Sequence, residues 1–271
     1  MKKGRDVKLE TIPLKNGRSL IASYSFAKTD SDDWAVYLLE SGAGFLYANR
    51  TELAELVGAE TARQLNFLVI NKPGLYPDGV DTEEFERSFI RQRRVDDAVT
   101  ALKVIVPQNH KIHLIGYSEG AYIAPQVARL DPRVKSVTMI GGGTRGWLSE
   151  ELNNANGREK AVCAKKIREI FANPTPERKW NGFTYATWYS YRGDSTLHAL
   201  KQLRTPALAI VGARDRVIDA KSAIADFKRI SEQKPLKLHV LRNCGHQFTN
   251  HWKPVRRIVG RFITEQRLNE A

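Results

Sequence analysis

Cysteine is nearly missing from this chain: Cys163 and Cys244 are the only two in 271 residues. Two thiols cannot build a disulfide framework, and even with His246 and His251 close to Cys244 their spacing matches no recognised zinc pattern. Long apolar runs are missing too. No stretch approaches the roughly 18 to 20 uninterrupted apolar residues of a membrane helix. The N-terminus, Met1-Lys2-Lys3-Gly4-Arg5-Asp6, lacks the apolar core of a secretion signal. These absences lead to the expectation of a soluble, cytoplasmic protein with no transmembrane segment, no metal and no cofactor. No internal repeat, low-complexity tract or Gly/Ser linker divides the chain, so a single domain over residues 1–271 is expected.

Acidic charge is scarce relative to basic: 30 Asp and Glu face 43 Lys and Arg, leaving +13. Such an excess can attract nucleic acid or anionic surfaces by long-range electrostatics. Here it is dispersed. The densest basic stretch, Arg87 to Arg94, is flanked by Glu83, Glu84, Glu86, Asp96 and Asp97, which reads as a solvated helix face. No specific nucleic-acid partner is therefore expected.

What is present is a regular alternation. Hydrophobic residues make up 42% of the chain, enough to bury a sizeable sheet. Between residues 7 and 26, alternating apolar positions are split by Asn16-Gly17, a dipeptide suited to a tight hairpin turn. Short apolar runs then recur at Trp34 to Leu39, Leu65 to Ile70, Ile112 to Ile115, Val134 to Ile140, Ala207 to Val211 and Leu236 to Leu241. Helix-length amphipathic segments separate them, as in Val95, Ala98, Val99, Leu102, Ile105 and Val106, and Asp81 with Glu84 marks an earlier helix start. Strands alternating with helices predict an α/β fold with a mostly parallel sheet covered on both faces. Residues 145 to about 200 interrupt the pattern with Trp147, Trp180, Tyr185, Trp188, Tyr189 and Tyr191 and no clear strand, predicting an insertion over the sheet's edge.

Gly116-Tyr117-Ser118-Glu119-Gly120 follows one of these strands and opens a helix-compatible stretch, the strand, sharp turn and helix order of a nucleophile elbow. The two glycines relieve the crowding of a tight turn, which aims the Ser118 hydroxyl above the carboxyl edge of the sheet. The alternative is a serine that only caps a helix N-terminus. A serine hydroxyl needs a base to become a nucleophile, and the base needs an orienting group. His246 lies just past the last strand in Asn243-Cys244-Gly245-His246, and Asp215 past the preceding one in Gly212-Ala213-Arg214-Asp215. Asp219 competes with Asp215, but its setting suggests a helix cap. His113 and His239 fall inside strands, and His110, His198 and His251 lack strand-end placement. For the oxyanion of acyl transfer, the backbone N–H of Glu119 and one from Ser41-Gly42-Ala43-Gly44 are expected, with Ala43 nominated and Gly44 its rival.

G-Y-S-E-G, the G-A-R-D turn and C-G-H together resemble the α/β-hydrolase superfamily over the whole chain, to a closing helix near Pro254 to Asn269. The resemblance implies an α/β-hydrolase fold with residues 145 to 200 as a lid, and lidded serine esterases and peptidases are similar. The chain departs from the family's common pattern in having Ser41-Gly42 where His-Gly is usual, and Asn71-Lys72 before Pro73-Gly74 where Asp is frequent. The expected activity is ester hydrolysis of a small-molecule acyl substrate through Ser118, Asp215 and His246. Peptidase, thioesterase or acyltransferase chemistry would use the same parts, and a catalytically silent fold would act as a binding protein.

Two further patterns invite other readings. Gly141-Gly142-Gly143-Thr144-Arg145-Gly146 fits a dinucleotide-binding spacing, but no compact helix and second strand ending in an acidic residue follow it. A structural turn is expected instead. Lys72 and Glu119 stand beside the site turns, either solvated or biasing substrate charge, and their opposite signs give no preference.

Overall fold

Residue alternation along the strands sorts the apolar core into two layers. Trp34, Val36 and Leu38 join one buried cluster while Ala35 and Tyr37 join the other. Leu68 and Ile70 separate from Phe67 and Val69 in the same way, as a period of two demands when both faces of a sheet are covered. The computed structural model describes residues 6–269.

In chain order the strands are β1 (Lys8–Pro13), β2 (Ser19–Ser25), β3 (Asp33–Leu38), β4 (Asn66–Ile70), the short pair β5 (Leu75–Tyr76) and β6 (Gly79–Val80), β7 (Lys111–Tyr117), β8 (Val134–Ile140), the short pair β9 (Lys179–Trp180) and β10 (Phe183–Thr184), β11 (Ala207–Gly212) and β12 (Leu236–Leu241). The helices are α1 (Arg50–Val57), α2 (Ala59–Arg63), α3 (Thr82–Ser88), α4 (Arg91–Ile105), α5 (Glu119–Leu130), α6 (Trp147–Asn154), α7 (Gly157–Ala172), α8 (Tyr185–Ser190), α9 (Ser195–Gln202), α10 (Ala220–Ser231) and α11 (Trp252–Leu268).

Eight strands form one sheet in the order β1-β2-β4-β3-β7-β8-β11-β12. The opening hairpin is antiparallel, β2 pairs antiparallel with β4, and the remaining six strands run parallel. Asn16 and Gly17 take left-handed φ values of 61° and 70° in the hairpin turn, the conformation that Asn-Gly tolerates. Helices α4, α5, α9 and α10 supply the core on one face, and α1, α2 and α11 on the other. From β3 the chain turns back to β4 on one side, and from β7 it proceeds to β8 on the other. Adjacent strands whose connections diverge leave a crevice at their carboxyl ends, where open parallel sheets place their ligands.

Two expectations need correction. The aromatic segment does contain strands, the two-residue pair β9 and β10, joined by Asn181-Gly182, both with positive φ. It also returns to the body before residue 200, because Leu197 and Leu200 of α9 belong to the main core. Among the described residues no helix is long and apolar enough to cross a membrane.

Candidate active site

Ser118 sits in that crevice, immediately after β7. Its backbone is strained, with φ 53° and ψ −115°, a conformation that costs a non-glycine residue and persists only where the surroundings enforce it. They do so through glycine. A Cβ on Gly116 would lie 2.4 Å from the carbonyl oxygen of Gly120, and one on Gly120 would lie 1.8 Å from that of Leu38. Both contacts are with backbone, which cannot swing aside. Although Ser118 occupies the N-cap position of α5, its side chain makes no capping hydrogen bond. The hydroxyl instead lies 2.8 Å from Nε2 of His246.

His246 reaches Ser118 from the loop after β12. A Cβ on Gly212 would lie 2.5 Å from the Cys244 carbonyl oxygen, so a residue without a side chain lets this loop close on the end of β11. On the far side of the imidazole, Nδ1 lies 2.8 Å from Oδ2 of Asp215. Oδ1 of Asp215 accepts from the N–H groups of Val217 and Ile218 at 2.8 and 3.1 Å, which fixes the carboxylate plane. The Asp215 side chain is fully buried. Asp219 points elsewhere: it caps α10 through the Ser222 N–H at 3.0 Å and accepts from Asn153 at 2.8 Å. The structure therefore brings Ser118, His246 and Asp215 into one hydrogen-bonded line and leaves Asp219 out of it.

A narrow cavity of about 80 Å³ opens beside this line. Ser41 and Glu119 border it, and its walls include Trp147, Phe183 and Trp188 from the aromatic segment, together with Val217 and Ile218. Of the turn Ser41 to Gly44, Ser41 lines the cavity, whereas Ala43 and Gly44 are exposed. The wall also carries Tyr122, Glu150 and Glu151. Tyr122 donates a short hydrogen bond to Oε2 of Glu150, and the Arg145 N–H reaches Oε1 at 3.3 Å. Burial pushes the Glu150 carboxyl up to about 8, with Asp219 and Asp215 adding to the rise against the hydrogen bonds from Tyr122 and Arg145.

The flanking charges correct three sequence expectations. Lys72 and Glu119 are buried, at 5% and 1% exposure, so neither is a solvated side chain. Arg94 is also fully buried, the exception to a basic stretch in which Arg87 and Arg93 are exposed. Its place was legible in the helical phase: Arg94 stands three, four and seven positions before Asp97, Ala98 and Ala101, all on the buried face of α4. Tyr191 donates to Oε1 of Glu119 at 2.5 Å, and Arg94 approaches Oε2 at 3.6 Å. Lys72 donates to the carbonyls of Glu40 at 2.5 Å and Gly42 at 2.9 Å. The spacing of Lys72 carried no signal of this, since its partners are backbone atoms.

The remaining motifs have packing roles. At Gly142 a Cβ would fall 2.4 Å from that of Ala121, and at Gly143 it would collide with the Glu150 carboxylate. His113 is buried between Ser136 and Asp33, and His251 folds back on the Thr249 carbonyl. Among the described residues no group of three or more His, Cys, Asp or Glu side chains is placed to hold a metal ion.

A family model described as "Alpha/beta hydrolase family" matches residues 36–261. No curated protein sequence matches the chain. Among solved structures, alpha/beta hydrolase domain-containing protein 10 from mouse superposes with a TM-score of 0.67 at 11% identity, over 97% of this chain and 100% of that one. An esterase of Pyrococcus furiosus gives 0.61 at 14% identity, covering 96% and 92%. The acylaminoacyl peptidase of Pyrococcus horikoshii gives 0.65 at 14% identity, covering 92% of this chain and 40% of that one.

Proposed function

The chain belongs to the alpha/beta hydrolase family, and on that premise we propose that it is a serine hydrolase that cleaves carboxylic esters through an acyl-enzyme. The observation that carries this reading is the line of two 2.8 Å hydrogen bonds from Ser118 through His246 to Asp215. In the first half-reaction the Ser118 oxygen bonds to the acyl carbon while its proton passes to Nε2 of His246. Asp215 holds the imidazole in the tautomer that can accept this proton and stabilises the resulting cation. The carbonyl electrons move onto oxygen, where the N–H of Glu119 and a donor from the turn after β3 receive the charge. Collapse of the intermediate breaks the bond to the leaving alkoxide, which takes the proton from His246. Water then repeats the sequence on the acyl-enzyme and frees the acid.

The segment from α6 to α8 acts as the lid, with Trp147, Phe183 and Trp188 against the substrate. Three glutamates and, among the described residues, no lysine or arginine line the cavity, despite the chain's net charge of +13. Glu150, its carboxyl pushed up to about 8, is mostly neutral near pH 7, and Glu119 is engaged by Tyr191 and Arg94, so no charge preference follows from them; the aromatic and aliphatic walls fit small neutral esters. A panel of esters, thioesters and amides of varied acyl length tests the linkage, with Ser118→Ala as the background. A fluorophosphonate probe should label the wild type and spare Ser118→Ala; equal labelling of the two would sink the assignment.

A further inference from the structure

Beneath the two turns that flank Ser118 lies a buried charge cluster that the acyl-transfer steps do not use directly. Lys72 is 5% exposed and Glu119 1%, while Arg94 is fully enclosed. The four elements packed here contribute Arg94 from α4, Glu119 from α5, Tyr191 after α8 and Glu40 from the loop after β3. The rings of Phe85 and Phe89 stand 5.9 and 5.8 Å from the Lys72 ammonium. Two cations face one enclosed carboxylate. Three Arg94 nitrogens and Oε2 of Glu119 have no hydrogen-bond partner within normal reach, so the ammonium and the guanidinium are only partly compensated.

The Lys72 ammonium spends its hydrogen bonds on the Glu40 and Gly42 carbonyls. These peptides are trans and planar, so each N–H points opposite to its own C=O. Drawing the Glu40 oxygen towards Lys72 turns the N–H of Ser41 away from it. Drawing the Gly42 oxygen in does the same for the N–H of Ala43. Ser41 lines the cavity beside Ser118. Without a cation at this place, a turn containing Gly42 and Gly44 would be free to rotate these peptides, because glycine imposes little backbone preference.

We propose that Lys72 is a positioning residue for the oxyanion site: by holding the Glu40 and Gly42 carbonyls it aims the amides of the turn after β3 at the acyl oxygen. The inference rests on the serine-hydrolase reading. Lys72 never touches the substrate. It acts through the peptides it holds, and its charge, unmatched by Glu119 alone, adds a favourable field for the developing oxyanion. Burial and the neighbouring Arg94 push the Lys72 ammonium down to about 7, against the opposing pull of Glu119 and Glu40. An oxyanion forming nearby favours its protonated state.

The test separates oxyanion stabilisation from ordinary packing. A trifluoromethyl ketone matching the acyl chain adds to Ser118: the Ser118 oxygen bonds to the ketone carbon, the carbonyl electrons form an oxyanion, and the serine proton moves to His246. The corresponding secondary alcohol fills the same space without that charge. In Lys72→Met, kcat for a neutral ester and affinity for the ketone should fall together by about 10- to 100-fold, below the loss for deleting a direct oxyanion donor. KM and alcohol affinity should stay within about twofold. Lys72→Gln, neutral but still a donor, should lose less than Lys72→Met, and if the Met variant does not fold, the ketone-to-alcohol comparison in Lys72→Gln decides alone. Ketone affinity unchanged, or ketone and alcohol weakened equally, overturns the inference. Hydrolysis retained by Ser118→Ala would overturn the serine-hydrolase reading itself, whereas dependence on Ser118 with neutral Lys72 variants overturns only the role of Lys72.

Discussion

Asp215 and Asp219 stand in one turn and both accept backbone N–H groups, yet one faces an imidazole and the other a helix. Exchanging their roles should be impossible by substitution alone. Asp215→Asn removes the acceptor that fixes the His246 tautomer, so kcat should fall by about 10³ to 10⁴ with KM little changed. Asp219→Ala should keep kcat within about threefold and cost about 1 kcal/mol of stability through the lost cap, measurable by denaturant titration.

Glu150 offers a second test at the same scale, because its folded-state value of about 8 lies above the ordinary 4.5. Between those values the folded protein binds more protons than the unfolded chain, so this group makes stability decline as pH rises from about 4.5 to about 8. Glu150→Gln keeps an acceptor for Tyr122 and removes the charge. The variant should show a flatter stability profile across that window and a higher thermal midpoint than the wild type above pH 8. A wild-type slope preserved in the variant would assign the proton uptake elsewhere.

At the scale of elements, the turn between β7 and α5 depends on absent side chains. A methyl at Gly120 would sit 1.8 Å from the Leu38 carbonyl, so Gly120→Ala must push α5 away from β3. Overpacking against backbone should cost about 3 kcal/mol. It should also abolish activity in whatever protein folds, read by thermal midpoint and ester turnover. Much at this scale was readable in advance: the hairpin at Asn16-Gly17, the cap at Asp81 and the strand before Ser118 depend on local chemistry. The pair β9 and β10 was missed because two-residue strands have too few positions for alternation to register. The end of the insertion was missed for another reason. Leu197 and Leu200 pack on the body, and a short amphipathic helix does not announce which surface it covers.

At the scale of the whole molecule, the last helix is tied back to the sheet it covers. Arg267 of α11 donates to Asp33 at 2.7 Å, at the start of β3, joining positions distant in sequence. Burial opposes the Asp33 charge, but the His113 ring 3.5 Å away and the hydrogen bond from Arg267 outweigh it and bring its carboxyl down to about 2. A depressed carboxyl stabilises the fold above its unfolded value and loses that contribution as pH falls towards 2. Arg267→Ala should cost about 1 kcal/mol at neutral pH, a figure kept low because both groups remain partly exposed. The difference from wild type should shrink as the solution is acidified from pH 4, followed by denaturant midpoints.

The amino-acid sequence by itself determined the strand and helix alternation, the elbow around Ser118, and the strand-end positions of Asp215 and His246. Each follows from local periodicity, turn chemistry or chain order, which a sequence carries directly. Tertiary structure alone decided that Ser41 rather than Ala43 borders the cavity, and it brought Asp215, already preferred to Asp219 from the helix-cap setting of the latter, against the histidine. It alone buried Lys72 and Glu119 under the site. Those outcomes depend on which backbone atoms and buried faces come together when helices and sheet pack. Packing at that range is a property of the assembled layers, and no spacing along the chain encodes it.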